Sequence, residues 1–155
     1  MKSAKRTRGF TLIEVMLVLV ILGGLAALAV VTLGGRQEKS KRDLTKVRLK
    51  HITSRLEQYN VDLGGNKSED RHTYPTDEQG LTALVTKPQF DDETKGQEWA
   101  GPYLTTEELK DFWGQEFRYR LEAVDGKMVP RVSSDGADGT ENTDDDIKSW
   151  TEDEG

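Results

Sequence analysis

The hydrophobic residues divide the chain at about residue 35. Residues 10–33 are almost entirely apolar, with no charge between Val15 and Leu33 and with Thr32 as the only polar side chain in that interval. A helix of residues 10–33 is about 36 Å long, which is enough to cross a bilayer core of about 30 Å. The pattern therefore predicts a membrane-embedded stem helix over residues 10–35.

Beyond this run, hydrophobic residues recur at the spacing of one helix face. They end at Gly64-Gly65, a helix-stop signal, and comprise Leu44, Val47, Ile52, Leu56, Tyr59 and Leu63. A period close to 3.6 predicts that the stem helix continues over residues 36–63 as an amphipathic segment. We expect this stripe to pack into a core.

Residues 64–155 carry the signals of a small α+β head. Thr76 and Gln79 form a capping box behind Pro75, which predicts a short helix at about residues 77–86. Lys87-Pro88 ends that helix, and residues 89–104 are predicted to form a loop.

A hairpin follows in the head. Residues 115–121 alternate between apolar and charged side chains, residues 127–133 alternate again, and Asp125-Gly126 between them is a strong turn signal. Pro130 predicts an edge position for the second strand, because proline cannot donate to a ladder. The fold class is therefore α+β, with a long N-terminal helix on a small antiparallel sheet.

Composition and charge limit the kinds of function. The chain of 155 residues has no cysteine, and its two histidines lie in polar contexts without ligand spacing. The net charge of −6 is not that of a nucleic-acid binder, and no catalytic pattern points to an enzyme. Residues 36–55 carry eight basic side chains. We interpret this basic block as a solvated face, with contact to acidic loops or anionic lipid as the alternative.

The residues at the start of the apolar run indicate what kind of segment it is. Glu14 lies one turn inside the run, and four basic residues precede it. A signal peptide has a shorter apolar region and a small-residue cleavage site, and a plain anchor gives no reason for Glu14. Residues 8–14, Arg-Gly-Phe-Thr-Leu-Ile-Glu, resemble the leader junction of type IV pilins and pseudopilins.

This resemblance implies how the N-terminus is processed and used. A prepilin peptidase cuts between Gly9 and Phe10, removes the leader 1–9 and methylates the new amine of Phe10. Glu14 then meets the Phe10 amine of a neighbouring subunit in a fibre and sets the register of assembly. The resemblance also orients the chain, with the N-terminus in the cytoplasm and residues 64–155 in the periplasm. Without the leader's four positive charges, the remaining side chains sum to −10.

Motifs in the head narrow the resemblance to one family. Residues 74–85, 99–104, 111–114 and 136–139 contain the series YPT-x-x-QGL-x-ALV, W-x-GPYL, D-x-WG and GADG. This series is similar to that of the major pseudopilins of the type II secretion system. Two positions depart from the family pattern: Val31 and Phe112 stand where members usually have proline.

The acidic loop at residues 135–146 is the candidate metal site. Oxygen ligands on a glycine-bearing loop suit Ca²⁺, although composition alone favours a solvated acidic loop. The loop is not an EF-hand, because Thr143 and Ser149 occupy the glycine and glutamate positions. The resemblance implies that Ca²⁺ is bound by the carboxylates of Asp138, Asp145 and Asp146, with Asp144 as competitor, and by main-chain oxygens of Asp135 and Thr140. Calcium then closes a loop that this cysteine-free chain cannot close covalently.

The resemblance implies a non-enzymatic structural function. The chain is expected to be a single-pass inner-membrane subunit that polymerises into the periplasmic pseudopilus and drives the secretion of folded proteins. Its expected partners are other copies of itself, minor pseudopilins, the prepilin peptidase and the inner-membrane assembly platform. The alternatives are a type IV pilin or competence-pilin subunit, and a membrane-anchored calcium-binding protein that does not assemble.

Overall fold

The computed structural model describes residues 10–64, 73–90 and 93–151, and the side chains of residues 28–34 are not part of that description. The helices are α1 (Leu12–Asp62) and α2 (Glu93–Glu98), with 3-10 helices at Gly80–Leu84 and Thr106–Leu109. The strands are β1 (Arg118–Val124), β2 (Lys127–Ser134) and β3 (Ile147–Lys148). The chain forms two compact units, the first ending at Lys39 and the second beginning at Ser40.

In the first unit, α1 begins at Leu12 and its side chains up to residue 27 are exposed. Within the described residues, no helix combines the length and the apolar character needed to cross a bilayer. Residues 1–9, including Gly9 of the predicted cleavage site, lie outside the described residues, as does the side chain of Val31.

The second unit is built around the end of α1. Ile52, Leu56, Tyr59 and Leu63 are at most 3% exposed, which confirms four positions of the predicted stripe. They share a buried cluster with residues of the first 3-10 helix, the sheet and the segments next to them, among them Leu84, Leu104, Phe117, Val132 and Ile147. The core therefore lies between the helix and one face of the sheet, as expected for the α+β head.

The first two positions of the predicted stripe are wrong. Leu44 and Val47 are 45% and 65% exposed, and Thr45 and Leu49 occupy the buried positions instead. At about 100° per residue, the face defined by Ile52 and its partners passes through residues 45 and 49. Leu44 lies about 90° around the helix from the centre of that face, and Val47 lies about 150° from it.

Two helix predictions in the head need correction. The capping box of Thr76 and Gln79 is present, with both of its hydrogen bonds formed. However, the expected helix over residues 77–86 is a 3-10 helix at Gly80–Leu84, because Gly80 has a φ of +53° and interrupts a regular α-helix. The predicted loop over residues 89–104 contains α2, which has no buried residue and so no apolar periodicity to reveal it.

The three strands form an antiparallel sheet in the order β1-β2-β3. The predicted hairpin is confirmed, since Asp125 and Gly126 connect β1 to β2 with φ values of 51° and 78°. Such positive values at both central residues match a type I′ turn. β1 begins at Arg118, three residues later than the alternating pattern indicated.

The prediction of an edge position for Pro130 is wrong for the strand as a whole but correct locally. β2 is the central strand, yet β3 pairs with Ser133 and Ser134 alone. Val132 exchanges hydrogen bonds with Ser149 on the β3 side. Because backbone groups alternate along a strand, the nitrogen of Pro130 points to that same side, beyond the end of β3.

Phe112, at a position where the resemblance led us to expect proline, has contacts that proline could not make in full. Its N–H donates to Oγ1 of Thr45 at 3.3 Å, and its ring lies 4.2 Å below the Arg48 guanidinium. Arg48 also donates to the carbonyl oxygen of Lys110 at 2.6 Å. The turn before the sheet is therefore fastened to α1 by a hydrogen bond and a cation–π contact.

Candidate functional site

At the N-terminus of α1, Glu14 forms a capping box with Thr11. The N–H and the hydroxyl of Thr11 both lie 3.2 Å from Oε2 of Glu14, and the N–H of Glu14 donates to Oγ1 of Thr11 at 3.4 Å. Sequence reasoning identified Glu14 but missed Thr11, although Thr-x-x-Glu at a helix start is a recognisable capping signature. The carboxylate is thus held at the end of the helix where unpaired N–H groups favour negative charge.

The surroundings of Glu14 are apolar and exposed. Phe10 is 87% exposed, and Leu12 and Ile13 are more than 70% exposed. Phe10 lies two residues before the first residue of α1 and four residues before Glu14. The geometry therefore presents one carboxylate within an uncovered hydrophobic surface, next to the residue whose amine the predicted cleavage creates.

In the acidic loop, Asp145 lies at the centre of the hydrogen bonds. Its Oδ2 accepts from the N–H groups of Ala137 and Asp138 at 2.6 and 3.1 Å, and its Oδ1 accepts from Oγ1 of Thr143 at 2.7 Å. These bonds, with the Thr143 hydroxyl as the largest contribution, lower the pKa of Asp145. The side chain therefore closes the loop on itself as a carboxylate.

Four oxygen atoms converge on the Thr143 hydroxyl. Besides Oδ1 of Asp145, they are the carbonyl oxygen of Thr140 at 3.0 Å and Oδ1 of both Asp138 and Asp146 at 3.4 Å. A hydroxyl has one proton to donate and cannot satisfy four acceptors at once. Sequence reasoning missed Thr143, because a threonine between carboxylates carries no signal of its own.

Two glycines make this closed loop possible. Gly136 has a φ of +68°, and a Cβ there would overlap the Asp145 carboxyl group. Gly139 has a φ of +69°, and a Cβ there would lie 2.8 Å from the Gln115 side chain. Both positions need glycine for the left-handed backbone and for the close approach of a neighbouring side chain.

The base of the loop is held by Arg118 of β1. Its guanidinium binds both carboxylate oxygens of Asp135, at 2.6 and 2.7 Å, and lies 3.4 Å from Glu141. The hydrogen bond to Asp135 is the main cause of the raised pKa of Arg118. Because the Asp135 carboxylate is engaged in this way, its main-chain oxygen is the group left for a metal.

The predicted ligands are therefore partly brought together. Asp138, Thr140, Asp145 and Asp146 surround Thr143, whereas the exposed side chain of Asp144 joins none of these hydrogen bonds. Across residues 10–64, 73–90 and 93–151, no group of three or more His, Cys, Asp or Glu side chains is arranged to hold a metal ion as it stands. The chemistry of the gathered atoms, all of them oxygen, nevertheless fits Ca²⁺.

Two family models match the chain. One is described as type II secretion system (T2SS), protein G, and matches residues 32–150. The other is described as the prokaryotic N-terminal methylation motif and matches residues 4–34. Together they cover the N-terminal junction, the stem and the head.

Individual relatives agree with these models. The chain is 37% identical to the type II secretion system core protein G of Pectobacterium carotovorum over 149 residues, which cover 96% of this chain and 88% of the relative. It is 36% identical to the core protein G of Vibrio cholerae over 151 residues, which cover 97% of this chain and 96% of the relative. The similarity extends over nearly the whole length of both proteins.

A solved structure agrees as well. The fold is similar to the crystal structure of the major pseudopilin from the type 2 secretion system of enterohaemorrhagic Escherichia coli, with a TM-score of 0.55 and 31% sequence identity. The match covers 76% of this chain and 93% of that one. The expected arrangement of a long N-terminal helix and a small antiparallel sheet is thereby confirmed.

Proposed function

Because the chain belongs to the protein G family of the type II secretion system and is a structural subunit of the pseudopilus, we propose that it polymerises lengthwise into that fibre through α1. The observation that carries this proposal is Glu14, a carboxylate on an exposed apolar surface at the start of the helix. A repeated contact between different surfaces of identical subunits produces an open filament. Growth of the fibre then pushes folded proteins through the outer membrane.

Glu14 acts as the register device of assembly. An ionised side chain in hydrocarbon costs several kcal/mol unless it is paired. The capping box with Thr11 satisfies the carboxylate in part before assembly. The free amine of Phe10 on a neighbouring copy supplies the full opposite charge, so a misplaced subunit leaves Glu14 without its cation.

The N-terminus is made ready for this contact by processing. A prepilin peptidase cleaves between Gly9 and Phe10 and methylates the Phe10 amine, in keeping with the methylation motif at residues 4–34. Residues 10–35 form the single inner-membrane span, residues 36–63 continue the stem, and residues 64–155 form the periplasmic head. The inner-membrane platform and the minor pseudopilins are the remaining partners, and the chain has no enzymatic activity.

The acidic loop binds Ca²⁺ through Asp138, Asp145 and Asp146, the carbonyl oxygen of Thr140 and that of Asp135. The bound ion supplies positive charge that offsets the repulsion of the clustered carboxylates. The convergence of oxygens on Thr143 supports this proposal and adds the Thr143 hydroxyl as a further candidate ligand. The ion takes the place of a disulfide at the end of the head.

Substitution of Glu14 tests the function directly. Glu14→Ala is expected to reduce fibre formation and secretion by more than about tenfold, since an unpaired partner charge remains on the neighbour. Val15→Ala, which removes apolar surface at the next position, is the matched control and is expected to assemble. Wild-type fibre levels in Glu14→Ala would contradict the proposal.

Mass spectrometry of the purified membrane protein tests the processing separately. We expect residues 1–9 to be absent and Phe10 to carry one methyl group.

The non-assembling calcium-binding alternative predicts that Glu14→Ala leaves secretion unchanged. A type IV pilin is disfavoured by the protein G family match over residues 32–150.

A further inference from the structure

Arg118 holds the acidic loop at two separate points. From β1 it binds both oxygens of the Asp135 carboxylate, and its Nη1 lies 3.4 Å from Oε2 of Glu141. Asp135 begins the loop and Glu141 lies in its middle. One side chain on a strand therefore ties the beginning of the loop to its centre.

The two arms of this contact differ in strength. The Asp135 side chain is 9% exposed and receives a two-point, charge-assisted pair of hydrogen bonds, the strongest type available to a carboxylate. The Glu141 side chain is 34% exposed and is shared with Arg120 at 2.9 Å. The Asp135 arm thus anchors the contact, and the Glu141 arm draws the loop towards the sheet.

The tip of the loop needs such an anchor. Asp138, Asp145 and Asp146 lie around Thr143 and repel one another as carboxylates. Their hydrogen bonds come from N–H and hydroxyl groups within the loop itself, which move whenever the loop opens. A contact to the rigid sheet limits how far the tip can spread.

We propose that Arg118 is a positioning residue for the calcium loop: by clamping Asp135 and Glu141 it keeps the ligand oxygens gathered before Ca²⁺ arrives. This inference rests on the calcium site of the proposed function. Groups outside the ligand shell that orient metal ligands typically change metal affinity by 10–100-fold. Arg118 makes no hydrogen bond to a predicted ligand atom and interacts with the Asp146 carboxylate through charge alone, so its positioning effect passes through the side chains it holds.

The sign of the effect separates this role from simple electrostatics. Arg118 is a cation close to a site for a cation, and its charge alone opposes Ca²⁺ binding. If charge were its whole contribution, removing it would tighten binding. If the clamp dominates, removing it weakens binding despite the relief of repulsion.

The experiment titrates Ca²⁺ into the metal-free full chain in detergent micelles and measures the dissociation constant by calorimetry. Arg118→Gln is expected to raise the dissociation constant by roughly 10–100-fold. Arg118→Lys keeps the charge but cannot bind both carboxylate oxygens of Asp135 at once. Its dissociation constant is expected to lie between those of the wild type and Arg118→Gln. Arg120→Gln is the control that removes the same charge. Arg120 is 62% exposed and pairs with Glu141 but not with Asp135, so we expect its dissociation constant to change by less than about fivefold.

The possible outcomes test the Arg118 clamp separately from the calcium site on which it depends. A wild-type chain that binds no Ca²⁺ overturns the calcium site and the clamp together. A wild-type chain that binds Ca²⁺, with Arg118→Gln binding equally well or more tightly, overturns the clamp alone. An equal loss in Arg120→Gln also overturns it, because the effect then does not depend on Asp135.

Folding of each variant is checked by circular dichroism. If Arg118→Gln does not fold, Glu141→Gln tests the other arm while leaving the Arg118–Asp135 pair intact. The clamp predicts weaker binding for Glu141→Gln, by about threefold or more, because the middle of the loop is released. Unchanged affinity in Glu141→Gln overturns the two-point clamp.

Discussion

The two halves of α1 are both rich in hydrophobic residues but differ sharply in burial. From Leu12 to Leu25, every large hydrophobic side chain is at least 50% exposed. From Leu49 to Leu63, the side chains that face the core are at most 4% exposed. The second half thus finds apolar partners within its own chain, whereas the described part of the first half does not.

This difference separates the part of the helix that folds the head from the part that we propose builds the fibre. Large exposed apolar surfaces on a protein mark contacts with lipid or with other proteins. The proposed function assigns this surface of the first half to the bilayer before assembly and to contacts with other stems afterwards. Changes in the two halves should therefore affect different properties.

The largest expected contrast comes from one substitution made in both halves. Leu56→Ala is expected to lower the free energy of unfolding of the head by about 2–5 kcal/mol, because Leu56 is fully buried. Leu19, which is 63% exposed, is the matched position, and Leu19→Ala should leave the head within about 0.5 kcal/mol of wild type. Denaturant unfolding of both variants in micelles gives the comparison. Equal losses would show that the two halves fold as one cooperative unit.

Removal of calcium is expected to have the next largest effect, and to act on the head alone. Ca²⁺ at 100 times its dissociation constant should stabilise the head by about 2.7 kcal/mol. Thermal melts with calcium and with a chelator measure this difference. Asp145→Asn should abolish it, whereas Asp144→Asn should retain it because Asp144 makes none of the loop's closing contacts. The reverse order would show that Asp144 is the ligand.

Alkaline pH should also weaken the head half of α1 selectively. Burial raises the pKa of Tyr59 to about 12. The pKa of Tyr59 in the folded state lies above the unfolded value of about 10. The contribution of its protonated form to the free energy of unfolding is therefore complete below pH 10 and is lost as the pH rises towards 12. For Tyr59 alone the loss at pH 11 is about 1 kcal/mol. Tyr59→Phe should reduce the loss, and an unchanged profile in that variant would assign it to other groups.

The smallest effect on stability is expected at Val47. This residue is 65% exposed on the head half of α1, so Val47→Ser should change the free energy of unfolding by less than about 0.5 kcal/mol. Leu49→Ser, two residues further and 4% exposed, is the buried counterpart and should be strongly destabilising. A large loss for Val47→Ser in the monomer would contradict the assignment of this side to the outside.

Periodicity predicted the second half of α1 well where the core is densest. It placed Ile52, Leu56 and Tyr59 correctly, because all three belong to the buried cluster that also contains apolar residues of the sheet and of the first 3-10 helix. It failed at Leu44 and Val47, because the five-residue step from Val47 to Ile52 turns the helix about 140° beyond one full turn and so places Val47 away from the core face. Thr45 and Leu49 are buried because of their position on the helix face that packs on the head, and not because they are the most hydrophobic residues nearby.

The candidate sites were predictable where a single residue type signals its chemistry. Glu14 is conspicuous as a charge in an apolar run, and the aspartates of the loop are conspicuous as a cluster. Thr143 and Arg118 were not predictable, because their roles depend on distances between positions that are far apart or chemically ordinary. Arg118 precedes Asp135 by 17 residues, and the hairpin register alone brings them together.

Pro130 has a consequence for how the sheets of two copies of this chain can associate. The part of β2 that extends past β3 offers a proline where a neighbouring chain would seek an N–H donor, so another strand cannot extend the ladder there. On the outer side of β1, the N–H of Leu121 is already taken by Asp77 at 2.8 Å. Both strand edges are thereby protected against edge-to-edge pairing with the sheet of another copy.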